Sequence, residues 1–283
     1  MNTTTTLSRS NNFSRHSTAP ALSAIFDFGG VPVELASTNH SFMRLAEERY
    51  ADFASPGPAT WRAVYRVTDP RQPSPRFLCD SRRQAMQSRR RGARLELSTP
   101  TFEMALDHER GIVDLAGPLA TYPIDRLIQT LWYETWERSL ILHAAALAEG
   151  DGGWLMSGPS GSGKSTLAAL FPKHALCDEF VAVRLDGRAP RLGALPFWTS
   201  RRGGAELRGV YLLRHGREDR RRRLTAGEAF ARLRREVVWP TFDPAALHRA
   251  FDALFDLIAR VPIWELAFRP TPEVWQVIHR EPT

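Results

Sequence analysis

The chain has 283 residues and a mass of 31.9 kDa, is 43% hydrophobic and 24% charged, and carries a formal net charge of +7. That is enough chain for one large domain or two modest ones, and it excludes collagen, coiled coil and a wholly disordered protein. Of the 38 cations two are lysines, Lys164 and Lys173, and 36 are arginines, a bias that speaks for codon composition before it speaks for a nucleic-acid face.

Residues 1–22 are rich in Ser, Thr and Asn and have too little apolar surface to bury, so a disordered tail is expected there. The tail has no signal-peptide core, and its acid-poor, Arg/Ser composition is shared by transit peptides and ordinary flexible tails. Residues 23–120 have a β-rich pattern. AIFDF, the pair Gly29-Gly30 and VPVEL predict a hairpin, because adjacent glycines supply the positive φ of a tight turn. Ser41 to Tyr50 predicts a short helix capped by Ser41, WRAVYRV a strand, and FEMALDH and GIVDLAG two strands about a turn. Between them, Pro70, Pro73, Pro75 and six arginines from Arg82 to Arg94 with no acid among them predict a solvated loop.

Residues 121–283 alternate helix and strand. Tyr122-Pro123 opens a helix, SLILHAAALA (139–148) is an apolar strand, EGDGG turns the chain and WLMS (154–157) returns. A short helix follows Lys164, then a strand from Ala175 to Val183 and another at VYLLR (210–214). Thr225 to Glu228 has capping-box spacing, Asp243-Pro244 starts a helix reaching Arg260, IWELAF (263–268) is a strand and Thr271-Pro272 opens a last helix. Such alternation predicts a layered α/β domain. The longest apolar stretch, Leu140 to Ala148, is broken by His143 and falls far short of the ~20 residues that cross a bilayer, so no membrane partner is expected. Cys79 and Cys177 lie too far apart for a zinc motif and suit free thiols in the cytoplasm.

One motif carries the chemistry. Gly158-Pro159-Ser160-Gly161-Ser162-Gly163-Lys164-Ser165 fits G-x-x-x-x-G-K-[ST], with the required strand before it and helix after. The glycines let backbone N–H groups turn inward around phosphate oxygens at a helix N-terminus. Lys164 is expected to bridge the β- and γ-phosphates of ATP, Ser165 to hold Mg²⁺, and Thr166 to extend the helix or add a phosphate contact. A second element, Asp178-Glu179 in LCDEFVAV, ends an apolar strand fourteen residues after Lys164. Carboxylates there could hold Mg²⁺ or take a proton from an attacking hydroxyl.

The stretch LHAAALAEGDGGWLMSGPSGSGKSTLAALFPKHALCDEFVAV, with VYLLR and VPIWELAF, resembles the catalytic domain of HPr serine kinase/phosphorylase and its related kinases. The resemblance is good over residues 139–184 and loose over the rest of the α/β domain. It implies a P-loop kinase fold of the HPr kinase/phosphoenolpyruvate carboxykinase type, with a smaller β-rich domain in front. It also implies ATP- and Mg²⁺-dependent phosphorylation of a serine on a small protein or peptide. By position, Lys164 and the glycines bind the triphosphate, Ser165 binds the metal, Asp178 is the catalytic base and Glu179, where the family has Asp, a metal ligand; glutamate reaches about one methylene further, so the two acids could exchange these roles and Asp178 hold the metal. His143 is by default a hydrogen-bonded core histidine, and the family's histidine before the P-loop gives it a site role. The family's E-I-R-G-type signature, tied to the phosphorylase reaction and the hexamer, is not recognisable, which leaves a homo-oligomer open.

Phe197-Trp198-Thr199 could floor an adenine pocket, the Arg220–Arg223 run suits a solvated loop, and Cys177 suits the core. Two other functions compete. A P-loop ATPase or nucleotide-dependent regulatory protein would use the same loop and acids, although their spacing is short for one. A nucleic-acid module would use the arginine runs and ignore Lys164.

Overall fold

The computed structural model describes residues 22–71, 86–197 and 200–279. The tail up to residue 21, Cys79, Arg82, Arg83, Trp198 and Thr199 lie outside the described residues. Within them the chain is mixed α/β, with two sheets and six α-helices. No helix among the described residues is long and apolar enough to cross a membrane.

The first sheet contains β1 (Leu22–Asp27), β2 (Pro32–Ser37), β3 (Trp61–Asp69), β4 (Gln87–Arg91), β5 (Arg94–Ser98), β6 (Glu103–Asp107) and β7 (Ile112–Pro118), in the order β1-β2-β3-β7-β6-β5-β4. The Gly29-Gly30 hairpin forms as its sequence predicts, with φ of 70° and 102° at the two glycines. Helix α1 (His40–Arg49) crosses from β2 to β3, which lie parallel. Its cap is Asn39, not Ser41: the Asn39 side chain accepts from the Phe42 N–H at 2.9 Å. The expected arginine loop is a hairpin over its described part, where β4 and β5 turn at Gly92. Two of its arginines are paired: Arg90 reaches Glu134 at 2.5 Å and Asp243 at 3.3 Å, and Arg94 reaches Glu96 at 3.0 Å.

Helix α2 (Tyr122–Thr135) leads into the second sheet, made of β8 (Ser139–Glu149), β9 (Gly152–Ser157), β10 (Ala175–Cys177), β11 (Phe180–Arg184), β12 (Arg191–Ala194), β13 (Gly204–His215), β14 (Arg220–Arg223) and β15 (Ile263–Phe268). β9, β13 and β15 are parallel neighbours. β8, β11, β12, β13 and β9 pair in turn until β9 returns to β8, so five strands close a ring. The expected strand from Ala175 to Val183 is two strands on one path along β8, interrupted at Asp178-Glu179. Arg220–Arg223, expected as a loop, is edge strand β14: the Arg221 and Arg223 guanidinium groups stack on Trp264 at 4.4 and 5.3 Å, and their aliphatic stems can cover apolar surface.

Helices α3 (Lys164–Leu170) and α6 (Val274–His279) share a compact core on one face of this sheet, around Met156, Leu167, Leu213 and Phe268. On the other face α4 (Ala226–Leu233) and α5 (Pro244–Arg260) join a larger core. That larger core continues through Trp132 of α2 to Phe26, Leu35 and Tyr65 of the first sheet.

Candidate active site

The parallel strands β9, β13 and β15 run the same way, so their carboxyl ends lie on one side, where open α/β sheets bind ligands. Three groups from those ends meet there. β9 runs directly into Gly158, His215 at the end of β13 places Nε2 2.8 Å from the Gly161 carbonyl oxygen, and the Phe268 ring at the end of β15 lies under Gly163. The bend therefore rests on the sheet's edge.

Its shape depends on glycine. Gly158, Gly161 and Gly163 have φ of 150°, 80° and 102°, and Gly163 is the left-handed N-cap of α3. A Cβ on Gly163 would lie 2.8 Å from Phe268 Cζ, and one on Gly158 2.9 Å from Ser162 Oγ. Only glycine fits both the torsion and the space at residue 163. Pro159, Ser160 and Gly161 are exposed at the tip, as are Ser165 and Thr166 at the helix start. Ser162 is buried and its Oγ has no hydrogen-bond partner.

Lys164 points back into the bend. Its Nζ donates to the Gly158 carbonyl at 2.7 Å and to the Pro159 carbonyl at 3.3 Å, and the residue is 7% exposed. Burial pulls the ammonium below the ordinary lysine pKa, while Glu236 and then Glu179 oppose that shift. Both carboxylates thus act on the lysine.

The topology explains how they come together. Along β8, β9 pairs as far as Ser157, opposite Ala144, and then turns away into the bend. The next position on that flank is taken by the segment after α4. The His143 N–H donates to the Glu236 carbonyl at 2.7 Å, Leu142 bridges Val237, and the Val238 N–H donates to the Ile141 carbonyl at 2.8 Å. On the opposite flank the Ala144 N–H donates to the Glu179 carbonyl at 3.0 Å. His143 is left between two acids, its Nδ1 3.5 Å from Glu236 and its Nε2 3.8 Å from Glu179.

Asp178, the expected base, makes no hydrogen bond or ion pair with Lys164 or His143. Its Oδ1 is buried and has no hydrogen-bond partner. A buried acceptor without a donor is uncommon in native proteins and suits a site that receives one. Cys177 beside it is a core residue: burial pushes its thiol up to about 12, and its Sγ faces the Phe180 carbonyl at 3.4 Å. Phe197, the described part of the expected adenine floor, packs edge-on against Phe180 at 4.9 Å.

No sequence pattern singles out Glu236, the third acid of the cluster. It is the lone acid between Glu228 and Asp243, directly ahead of the apolar pair Val237-Val238, and that is its only mark in the chain. Among the described residues no group of three or more His, Cys, Asp or Glu forms a ready metal cage. Mg²⁺ bound with a nucleotide needs only one or two protein oxygens beside phosphate and water. Ser165, next to Lys164 in the helix, and Glu179, whose charge acts on it, are of the right type for that. The positive-φ bend, the buried lysine and the orphaned Ser162 hydroxyl suit a triphosphate. No protein-family model and no curated protein matches the chain, so its own geometry carries the functional argument.

Proposed function

We propose that this chain is an ATP- and Mg²⁺-dependent kinase of the HPr serine kinase type, transferring a phosphoryl group to a serine hydroxyl of a small protein or peptide. One observation carries the reading: a glycine bend at the carboxyl ends of parallel strands holds a buried Lys164 that faces Glu179 and Glu236. A bound nucleotide would supply the phosphoryl group, and Mg²⁺ bound with it would neutralise part of its charge. Backbone N–H groups of residues 158–163 orient the phosphates, and Lys164 places its charge where negative charge develops during transfer. Ser165 and Glu179 would hold the metal. Asp178 is the base that accepts the proton of the serine hydroxyl, and His143 keeps Glu179 and Glu236 apart and oriented.

Radiolabelled ATP tests the proposal against a panel of serine-bearing carrier proteins and peptides. Label is expected on a serine of one acceptor with the wild-type chain and on none with Lys164→Ala. That substitution should also weaken ATP at least tenfold, since a charge-assisted bond to phosphate contributes roughly 1.5–3 kcal/mol. Label released only as free phosphate would instead support a P-loop ATPase or nucleotide-dependent regulator. Undiminished ATP binding by Lys164→Ala would end both readings.

A further inference from the structure

A cavity of about 240 Å³ lies away from the glycine bend, where the β1–β2 turn of the first sheet meets β11 and β12 of the second. Its lining includes Arg184, Arg191, Arg202, Asp27 and Trp132. Arg184 and Arg191 are direct cross-strand partners, an arrangement in which like charges repel. Among the described residues neither guanidinium makes an ion pair or a hydrogen bond, and Arg184 lies instead over the Trp136 ring at 4.2 Å.

The acids nearby are engaged elsewhere. Asp27 gives one oxygen to Arg202 at 3.0 Å and the other to the Gly30 N–H at 2.6 Å. Glu206, opposite Arg191 on β13, pairs with Arg208 at 2.9 Å. Two unpaired guanidinium groups are thus held side by side at the cavity, while the nearby acids Asp27 and Glu206 are already paired. An anion between the two guanidinium groups would relieve their repulsion.

We propose that this cavity binds a small dianion, a phosphate group or a pair of carboxylates, gripped by the planar forks of Arg184 and Arg191. The site is separate from the nucleotide cradle: Arg184 ends β11 and Glu179 precedes its start, roughly 16 Å apart at the rise of an extended strand. Because Gly29 and Gly30 line the same cavity, a dianion there would also lie between the β1–β2 turn and the second sheet.

The full-length chain carrying Lys164→Ala, which silences phosphate capture by the glycine bend, is the protein to test. Inorganic phosphate and succinate are titrated separately at constant ionic strength, with sodium chloride as the control, and followed by calorimetry and melting temperature. At least one is expected to bind and to raise the midpoint by about 2 °C or more at saturation. Adding Arg191→Gln should weaken that binding about tenfold or more. Arg191 is exposed and unpaired, so this variant should fold normally, and Arg184→Gln gives a second reading. A response to phosphate alone assigns a phosphoryl ligand, and a response to succinate alone a dicarboxylate; a response to both supports the dianion site without separating them. The proposal is overturned if neither anion acts beyond the chloride control, or if Arg191→Gln leaves the response unchanged.

Discussion

At the scale of single residues, Glu236 and Gly163 set the electrostatics and the shape of the site. Glu236 places a carboxylate near Lys164, where it opposes the burial that favours the neutral amine. The same carboxylate repels the phosphates of a nucleotide. Glu236→Gln removes one negative charge at nearly constant volume, so ATP should bind a few-fold more tightly in metal-free buffer while phosphoryl transfer slows. Calorimetry and acceptor labelling would measure the two effects, and weaker ATP binding would show that Glu236 is not beside the phosphates. Gly163→Ala introduces a Cβ 2.8 Å from Phe268 Cζ at a φ of 102°. The strain should cost about 1–3 kcal/mol in a urea titration, with ATP affinity falling as the bend opens. The glycines and Lys164 were legible in the sequence because the motif is local and its chemistry lies in the backbone. Glu236 was not, since it reaches His143 through a β-bridge between segments almost a hundred residues apart, and no local periodicity encodes such a pairing.

Among the elements, those with local signals formed where their residues predict. The hairpin at Gly29-Gly30, β8, β9 and the helix after Asp243-Pro244 all follow from turn glycines, apolar runs and caps. Elements stabilised by distant partners did not announce themselves. β14 is four consecutive arginines, a composition that marks a loop, yet it pairs with β15 and stacks on Trp264. Around it, Arg214, Arg222 and Arg232 gather on Glu265 at 3.5, 4.0 and 2.7 Å, so cations that look solvated in sequence are spent within the fold. Helix α4 combines both kinds of information. Its capping box is complete: the Thr225 Oγ1 accepts from the Glu228 N–H at 3.3 Å and the Glu228 carboxylate accepts from the Thr225 N–H at 2.9 Å. Thr225→Ala should lower stability by about 1 kcal/mol. Transfer activity at low temperature should nevertheless persist, because the segment beyond the helix is also tied to β8 by the His143 N–H on the Glu236 carbonyl and by the Val238 N–H on the Ile141 carbonyl. A variant that melted little but lost transfer would mean that the cap, and not β8, positions Glu236.

For the molecule as a whole, two sheets raise the question of whether they fold as separate units. The packing argues against it, because one hydrophobic core runs from Phe26 of the first sheet through Trp132 to Ile263 of the second. Ion pairs cross the same boundary: Arg49 reaches Asp125 at 3.0 Å, Arg202 reaches Asp27 at 3.0 Å, and Arg90 of β4 reaches both Glu134 of α2 and Asp243 at the head of α5. Arg90 offers the sharpest test of coupling. The side chains of Glu134 and Asp243 are only 4% and 8% exposed, so Arg90→Ala leaves two largely buried carboxylates without their cation. Arg90 itself is partly exposed, which reduces the loss from the 3–5 kcal/mol of a fully buried pair to about 2 kcal/mol. Far-ultraviolet dichroism and tryptophan fluorescence should each report a single transition in the wild-type chain, at the same denaturant concentration. With Arg90→Ala both midpoints should fall together, since a shared core transmits the loss to both sheets. Two separated transitions, only one of them shifted by the substitution, would show instead that each sheet melts alone.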